Sequence, residues 1–137
     1  VPHTFPLRVY YEDTDLAGIV YYANYLRFIE RARTEWVRAK GVDQTRLRAE
    51  EGIVFAVRRL EADYLRPARF DDVLEVRTDL REAAGARIIL GQDIWRGQDC
   101  LFAAVVTLVA MGADGRARRL PAGMLAELRR DAETKPG

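Results

Sequence analysis

Two carboxylates, Asp13 and Asp15, sit two residues apart in the stretch EDTDLAGIVYYANYLRFIERARTEW, residues 12–36. Gly18 follows as a flexible point, then the apolar tripeptide Ile19-Val20-Tyr21, and a helical pattern opens near Tyr22 to Asn24. An acid beside the start of a helix is a chemical unit. The first backbone N–H groups of a helix have no partner inside it, and the macrodipole makes that end partly positive. Such an end can hold a developing oxyanion while a carboxylate attacks a carbonyl or activates water. The competing reading is structural, since Asp in a short polar turn often only bonds its own backbone. Glu30, inside the helix, is a rival acid; its structural alternative is an ion pair with Arg27 or Arg33, each three residues away.

Other chemistries find few residues. His3 is the single histidine and lies outside every patterned stretch, so neither a Ser-His-Asp site nor a His-based dehydratase site is well supplied. One histidine and one cysteine do not make a zinc cluster, and no metal or cofactor is called for. Cys100 excludes an internal disulfide, fits a reducing compartment and opens an apolar stretch as a buried small residue. The chain has 137 residues, 49% of them hydrophobic, which suits one domain with a real core. With 22 basic and 21 acidic residues the net charge is +1, which gives no support for nucleic acid as the main partner. The start, VPHTFPLRVYYED, lacks the charged beginning and apolar run of a signal peptide. No run of about twenty apolar residues suggests a membrane span. A cytoplasmic protein is the expectation.

The elements that must position these acids follow from periodicity. Phe5 to Glu12 alternates as a strand, with Phe5, Leu7, Val9 and Tyr11 on one face. Tyr22, Tyr25, Leu26, Ile29, Ala32, Trp36 and Val37 fall at helical spacing, with Asn24 as N-cap and Gly41 as terminator. From Tyr25 to Lys40 that helix would be roughly 24 Å long. Residues 42–52 read as a polar connector with a helical turn. From Ile53 the pattern is β, with a phase shift near Arg58-Arg59 that suggests a bulge. Strands follow at 73–80, 87–96 and 101–111, with turns at 66–69, 82–86 and 97–99. The last strand is apolar on both faces and must be covered on both. One helix covers one side, so a second subunit is expected on the other. A terminal helix is predicted from Pro121 to about Asp131, then a tail over 132–137. The order gives an α+β domain spanning 1–137, with its core over about 5–120.

The run Thr14-Asp15-x-x-Gly18-x-Val20-Tyr21-x-x-Asn24-Tyr25 closely resembles the signature of the 4-hydroxybenzoyl-CoA thioesterase family. The continuation Phe28-Ile29-Glu30-Arg31-Ala32-Arg33-Thr34-Glu35-Trp36 looks most like its Tol-Pal-associated branch, and the likeness runs from about Leu7 to Leu120. The resemblance implies a hotdog fold, an antiparallel sheet of about five to six strands wrapped around one long helix. It implies an acyl-CoA thioesterase in which Asp15 is nucleophile or general base and Tyr22 offers a backbone N–H to the oxyanion. Gly18 and Val20 become candidate substrate-binding positions, with Arg66, Arg69 and Arg87 as a basic rim for the coenzyme A phosphates. Each arginine reads more readily as a solvated surface residue than as a phosphate ligand. The chain has Tyr22 where many relatives in the Tol-Pal branch carry His, and no basic residue in the turn Ala83-Ala84-Gly85-Ala86. The implied partners are acyl-CoA, acyl carrier protein as another possible donor, and further copies of the chain as a dimer or a tetramer made of two dimers. The alternative function is a non-catalytic module that holds an acyl chain or a protein partner at the cell envelope.

Overall fold

The computed structural model describes residues 2–130. The chain runs through β1 (His3–Arg8), a 3-10 turn (Tyr11–Asp13), α1 (Asn24–Ala39), α2 (Gln44–Glu51), β2 (Val54–Tyr64), β3 (Val73–Ala84), β4 (Arg87–Arg96), β5 (Asp99–Met111) and α3 (Ala122–Arg129). The strands form one antiparallel sheet in the order β1-β3-β4-β5-β2. Helix α1 lies against β1, β3 and β4. This is the expected α+β hotdog arrangement, with five strands on one long helix. Among the described residues no helix is long and apolar enough to cross a membrane.

The apolar stripe of α1 explains its seat. Tyr25, Phe28, Ile29, Ala32, Trp36 and Val37 are buried against Leu74, Val76, Ile88, Leu90, Ile94 and Phe102 of the sheet. Each large side chain buried this way stabilises the fold by about 1.5–3 kcal/mol. Two polar residues share this core, Thr78 and Gln92, both fully buried. Each has a partner. The Gln92 Nε2 donates to the Ile29 carbonyl (2.9 Å) and to the Thr78 hydroxyl (3.0 Å), and its Oε1 accepts from Arg33 (2.9 Å). The sheet is therefore pinned to the second turn of α1 by hydrogen bonds as well as by packing.

Several boundaries differ from the sequence reading. The first strand ends at Arg8, because the Val9 N–H turns to the Asp72 carbonyl (2.9 Å) and Tyr11–Asp13 coils. Asn24 is not an N-cap. It is the first helical residue, and its side-chain amide donates to the Asp13 carbonyl (2.9 Å). Tyr22 precedes the helix and is exposed, while Phe28 takes a place in the buried stripe. The connector contains a full helix, α2, capped by the Asp43 carboxylate on the Arg46 N–H and closed by Gly52 in the left-handed region. Strand β3 continues past Leu80 to Ala84 through a register shift between Leu80 and Glu82. The register shift in β2 falls between Val57 and Arg59, beside the expected bulge. The terminal helix is described only to Arg129; Asp131 and the expected tail lie outside the described residues.

Candidate active site

Asp15 stands in a tight loop whose ends are stitched together. Thr14 and Val20 form an antiparallel bridge, and the Asp15 N–H donates to the Ile19 carbonyl (2.9 Å). Inside the loop the Gly18 N–H returns to the Asp15 carbonyl (2.9 Å), which makes a four-residue turn. Gly18 has φ of +82°, and nothing lies within 4 Å of where its Cβ would be. Its glycine therefore serves backbone conformation and not close approach.

The same loop aims the two acids differently. The Asp13 carboxylate accepts from the Tyr10 N–H (2.8 Å), and its carbonyl accepts from both the Tyr21 N–H and the Asn24 side chain (each 2.9 Å). Asp13 is thus the structural tie between the loop and the start of α1. Asp15 uses Oδ1 to accept from the Ala17 N–H (2.9 Å), and no ion pair engages it among the described residues. One carboxylate oxygen is left for chemistry on an exposed surface. Glu30 is exposed too, but its carboxylate accepts from the Thr34 hydroxyl (3.0 Å) one turn along the helix.

At the helix start the Asn24 N–H donates to the Tyr21 carbonyl (2.8 Å) and the Leu26 N–H to the Ala23 carbonyl (3.2 Å). Among the described residues no protein acceptor engages the backbone N–H of Tyr22 or Ala23. These are the orphan donors of a helix end. The segment 66–72 closes the site from the sheet side. The Ala68 carbonyl accepts from the Val20 N–H (2.8 Å), and the Ala68 N–H donates to the Tyr25 phenol (2.9 Å). Arg69 bridges Ile19. Tyr25 itself stacks on Phe102 with ring centroids 5.3 Å apart, and burial pushes its phenol up from the ordinary range.

The structure brings Asp15, Gly18, Tyr22, Arg66 and Arg69 into this one region. Val20 is there as well, but its side chain is in the core, 2% exposed. Arg66 pairs with Asp99 at 3.5 Å; Arg69 is exposed, with no ion pair among the described residues. Arg87 is elsewhere. It pairs with Glu82 and sits beside Val109, whereas the site lies by Phe102, seven residues back along β5. At about 3.4 Å per residue that is roughly 24 Å away. Trp95 stands on the face of the sheet opposite the buried Ile94, with Arg77 over its ring at 4.3 Å. Two contributors were not legible from spacing: Asn24 as a tie to Asp13, and Tyr64, whose phenol donates to the Tyr22 carbonyl (3.0 Å) from the end of β2. Both act across the tertiary structure on backbone carbonyls, which carry no sequence signal.

Residues 9–129 match the Thioesterase-like superfamily. An acyl-CoA thioesterase, YbgC, of Haemophilus influenzae is 44% identical over 108 residues, 79% of each chain. An acyl-CoA thioester hydrolase, YbgC, of Escherichia coli is 39% identical over 127 residues, which covers 91% of this chain and 94% of that one. Among solved structures, a probable thioesterase from Bartonella henselae superposes with TM-score 0.83 at 38% identity over 88% of this chain and all of that one. A mutant 4-hydroxybenzoyl CoA thioesterase complexed with 4-hydroxybenzoyl CoA gives TM-score 0.85 at 26% identity, over 93% of this chain and 98% of that chain.

Proposed function

Because the chain belongs to the thioesterase-like superfamily, we propose that it hydrolyses acyl-CoA thioesters to the free acid and coenzyme A. One observation carries the reading: a carboxylate with an uncommitted oxygen, Asp15, is tied through Asp13 to a helix end whose Tyr22 and Ala23 N–H groups have no protein acceptor. The thioester carbonyl oxygen rests on that end, where the N–H groups stabilise the charge that develops in the transition state. Asp15 promotes attack at the carbonyl carbon. It does so as nucleophile, through a mixed anhydride that water then opens, or as the base that takes a proton from the attacking water. Thiolate leaves in either route. Arg66 and Arg69, on the segment that closes the site, meet the phosphates of coenzyme A. Arg87 is too far along the sheet to join them within one protomer.

The site is completed by a second copy of the chain. Asp15 is exposed in the protomer, and so are Tyr10, Leu16, Tyr21, Tyr22, Leu65 and Phe70 around it. Charge stabilisation of the kind invoked needs a water-excluded setting, and apolar side chains so grouped mark an interaction surface. The acyl group then lies between subunits. A reducing, cytoplasmic setting agrees with the lone thiol, Cys100, a poor structural element where disulfides persist.

Turnover of short, long and aromatic acyl-CoAs, and of the same acyl groups on acyl carrier protein, tests this for the native chain and Asp15→Asn. Selective hydrolysis that falls at least ~10²-fold in the variant is expected, the scale of losing a positioned catalytic base. Native turnover in Asp15→Asn would refute the site. Trace turnover everywhere, with tight acyl binding, would make this a binding module.

A further inference from the structure

Tyr22 and Ala23 offer the helix-end donors, and each N–H belongs to a peptide unit whose carbonyl lies on the opposite edge. Those carbonyls are both held. The Tyr21 carbonyl, which shares a peptide plane with the Tyr22 N–H, accepts from the Asn24 N–H at 2.8 Å. The Tyr22 carbonyl, which shares a plane with the Ala23 N–H, accepts from the Tyr64 phenol at 3.0 Å. The first tie is local and belongs to the turn. The second comes from 42 residues away, from the last residue of an edge strand.

We propose that Tyr64 is a positioning residue for this reaction: its hydroxyl locks the Tyr22–Ala23 peptide plane so that the helix-end donors face the developing oxyanion. The inference rests on the reading of that end as the oxyanion site. Three observations support it. Tyr64 is itself held in place, edge-on to Tyr25 at 5.4 Å and to Phe102 at 5.0 Å, within an aromatic cluster whose floor is buried. A donor built on packed rings holds its direction better than one on a flexible stem. Desolvation, with smaller contributions from the Tyr22 and Tyr25 phenols, pushes its phenol up, so it stays a proton donor at neutral pH. Finally, a hydrogen bond accepted by a peptide carbonyl polarises the N–H of the same unit, which strengthens its donation to an anion.

Tyr64→Phe keeps the ring and its packing and removes only the hydroxyl. On the best acyl-CoA substrate, kcat is expected to fall about tenfold, less than the ~10²–10³ seen when an oxyanion donor is lost outright. KM should stay within about twofold, and the melting temperature should hardly move. A direct contact with the acyl chain would do the reverse, raising KM with kcat preserved, and that result overturns the proposal. So does a kcat within twofold of native while Asp15→Asn is inactive. If Asp15→Asn is itself fully active, the underlying site is misassigned and the proposal falls with it, a failure separable from the first two by that one variant. Tyr64→Leu, which removes ring and hydroxyl together, should lose melting temperature as well as kcat; if Tyr64→Phe loses as much melting temperature, the residue is structural and the positioning role is refuted.

Discussion

Asp13, Asp15 and Asp93 carry the same side chain and stand in different chemistry because of what each carboxylate touches. Asp13 is half-buried, with one carboxylate oxygen on the Tyr10 N–H and its backbone carbonyl tied to Tyr21 and Asn24, whereas Asp15 is exposed and its carboxylate holds, among the described residues, only the Ala17 N–H of its own turn. Asp93 faces away from α1, on the outer side of the sheet, opposite Arg77 of β3 and Ala103 of β5. Burial, the largest influence, pushes its carboxyl up; the Arg81 charge opposes this, Asp79 adds to it, and the Ala104 N–H and Arg77 oppose it more weakly. A carboxyl held above its ordinary value binds more protons folded than unfolded across the interval between the two values. Stability contributed by its neutral form is complete at low pH and is lost as pH rises through the folded value. Asp93→Asn keeps the acceptor and removes the titration. The native melting temperature should therefore decline relative to Asp93→Asn as pH rises from about 4, the ordinary carboxyl value, toward neutrality. Parallel melting curves across that range would show that the group does not contribute.

At the scale of elements, what periodicity could mark was legible and what it could not mark was missed. Helix α1 and strands β3 and β4 are readable because each buries one regular stripe, and β5 is readable as an unbroken apolar run between turns. Helix α2 escapes periodicity because QTRLRAEE has no apolar stripe and no buried residue; its signal is the Asp43 cap and the Gly52 stop. The first strand is shorter than its alternation, which runs on through Tyr11, because a change of hydrogen-bond partner at Val9 ends the ladder. The motif singles out Asp15 as the candidate acid, whereas the Tyr64 and Asn24 ties leave no such mark, since they join side chains to backbone elsewhere in the chain. The same is true of Gln92, a polar residue on the otherwise apolar buried face of β4, which holds α1 to the sheet. Gln92→Leu fills the space and leaves the Thr78 hydroxyl and the half-buried Arg33 guanidinium short of a partner, while the Ile29 carbonyl keeps its helical bond within α1. At about 1–3 kcal/mol for each group so orphaned, denaturant unfolding should show a loss of at least ~2 kcal/mol. A loss under ~0.5 kcal/mol would mean that the groups find water or one another, as exposed polar groups do.

The whole molecule has two sheet edges of very different character. Strand β1 is six residues long and carries Pro6, both features that blunt an edge. Strand β2 is eleven residues long, exposed along most of its length, and shows Val57 and Leu60 to solvent in the protomer. Its exposed side chains also include Arg58, Arg59, Glu61 and Asp63, so the edge mixes apolar and charged groups, but its length leaves a row of backbone N–H and C=O groups that another strand can pair with. It also ends at Tyr64, beside the candidate site. Pairing of two β2 strands through a twofold axis would therefore bring two copies of the exposed surface around Asp15 near one interface, with the same patch on both sides. Shielding of Asp15 and assembly then become one event. Sedimentation of the native chain should give a dimer or a tetramer built from dimers, with activity that falls on dilution below the dissociation constant. Val57→Glu places like charges at the pairing edge, where directly opposed charges are repulsive, so it should shift the chain to monomer and remove turnover while leaving the far-ultraviolet circular dichroism unchanged. A native protein that is monomeric at full activity would show that one copy shields Asp15 by itself, and the acyl group would then have to bind within a single protomer.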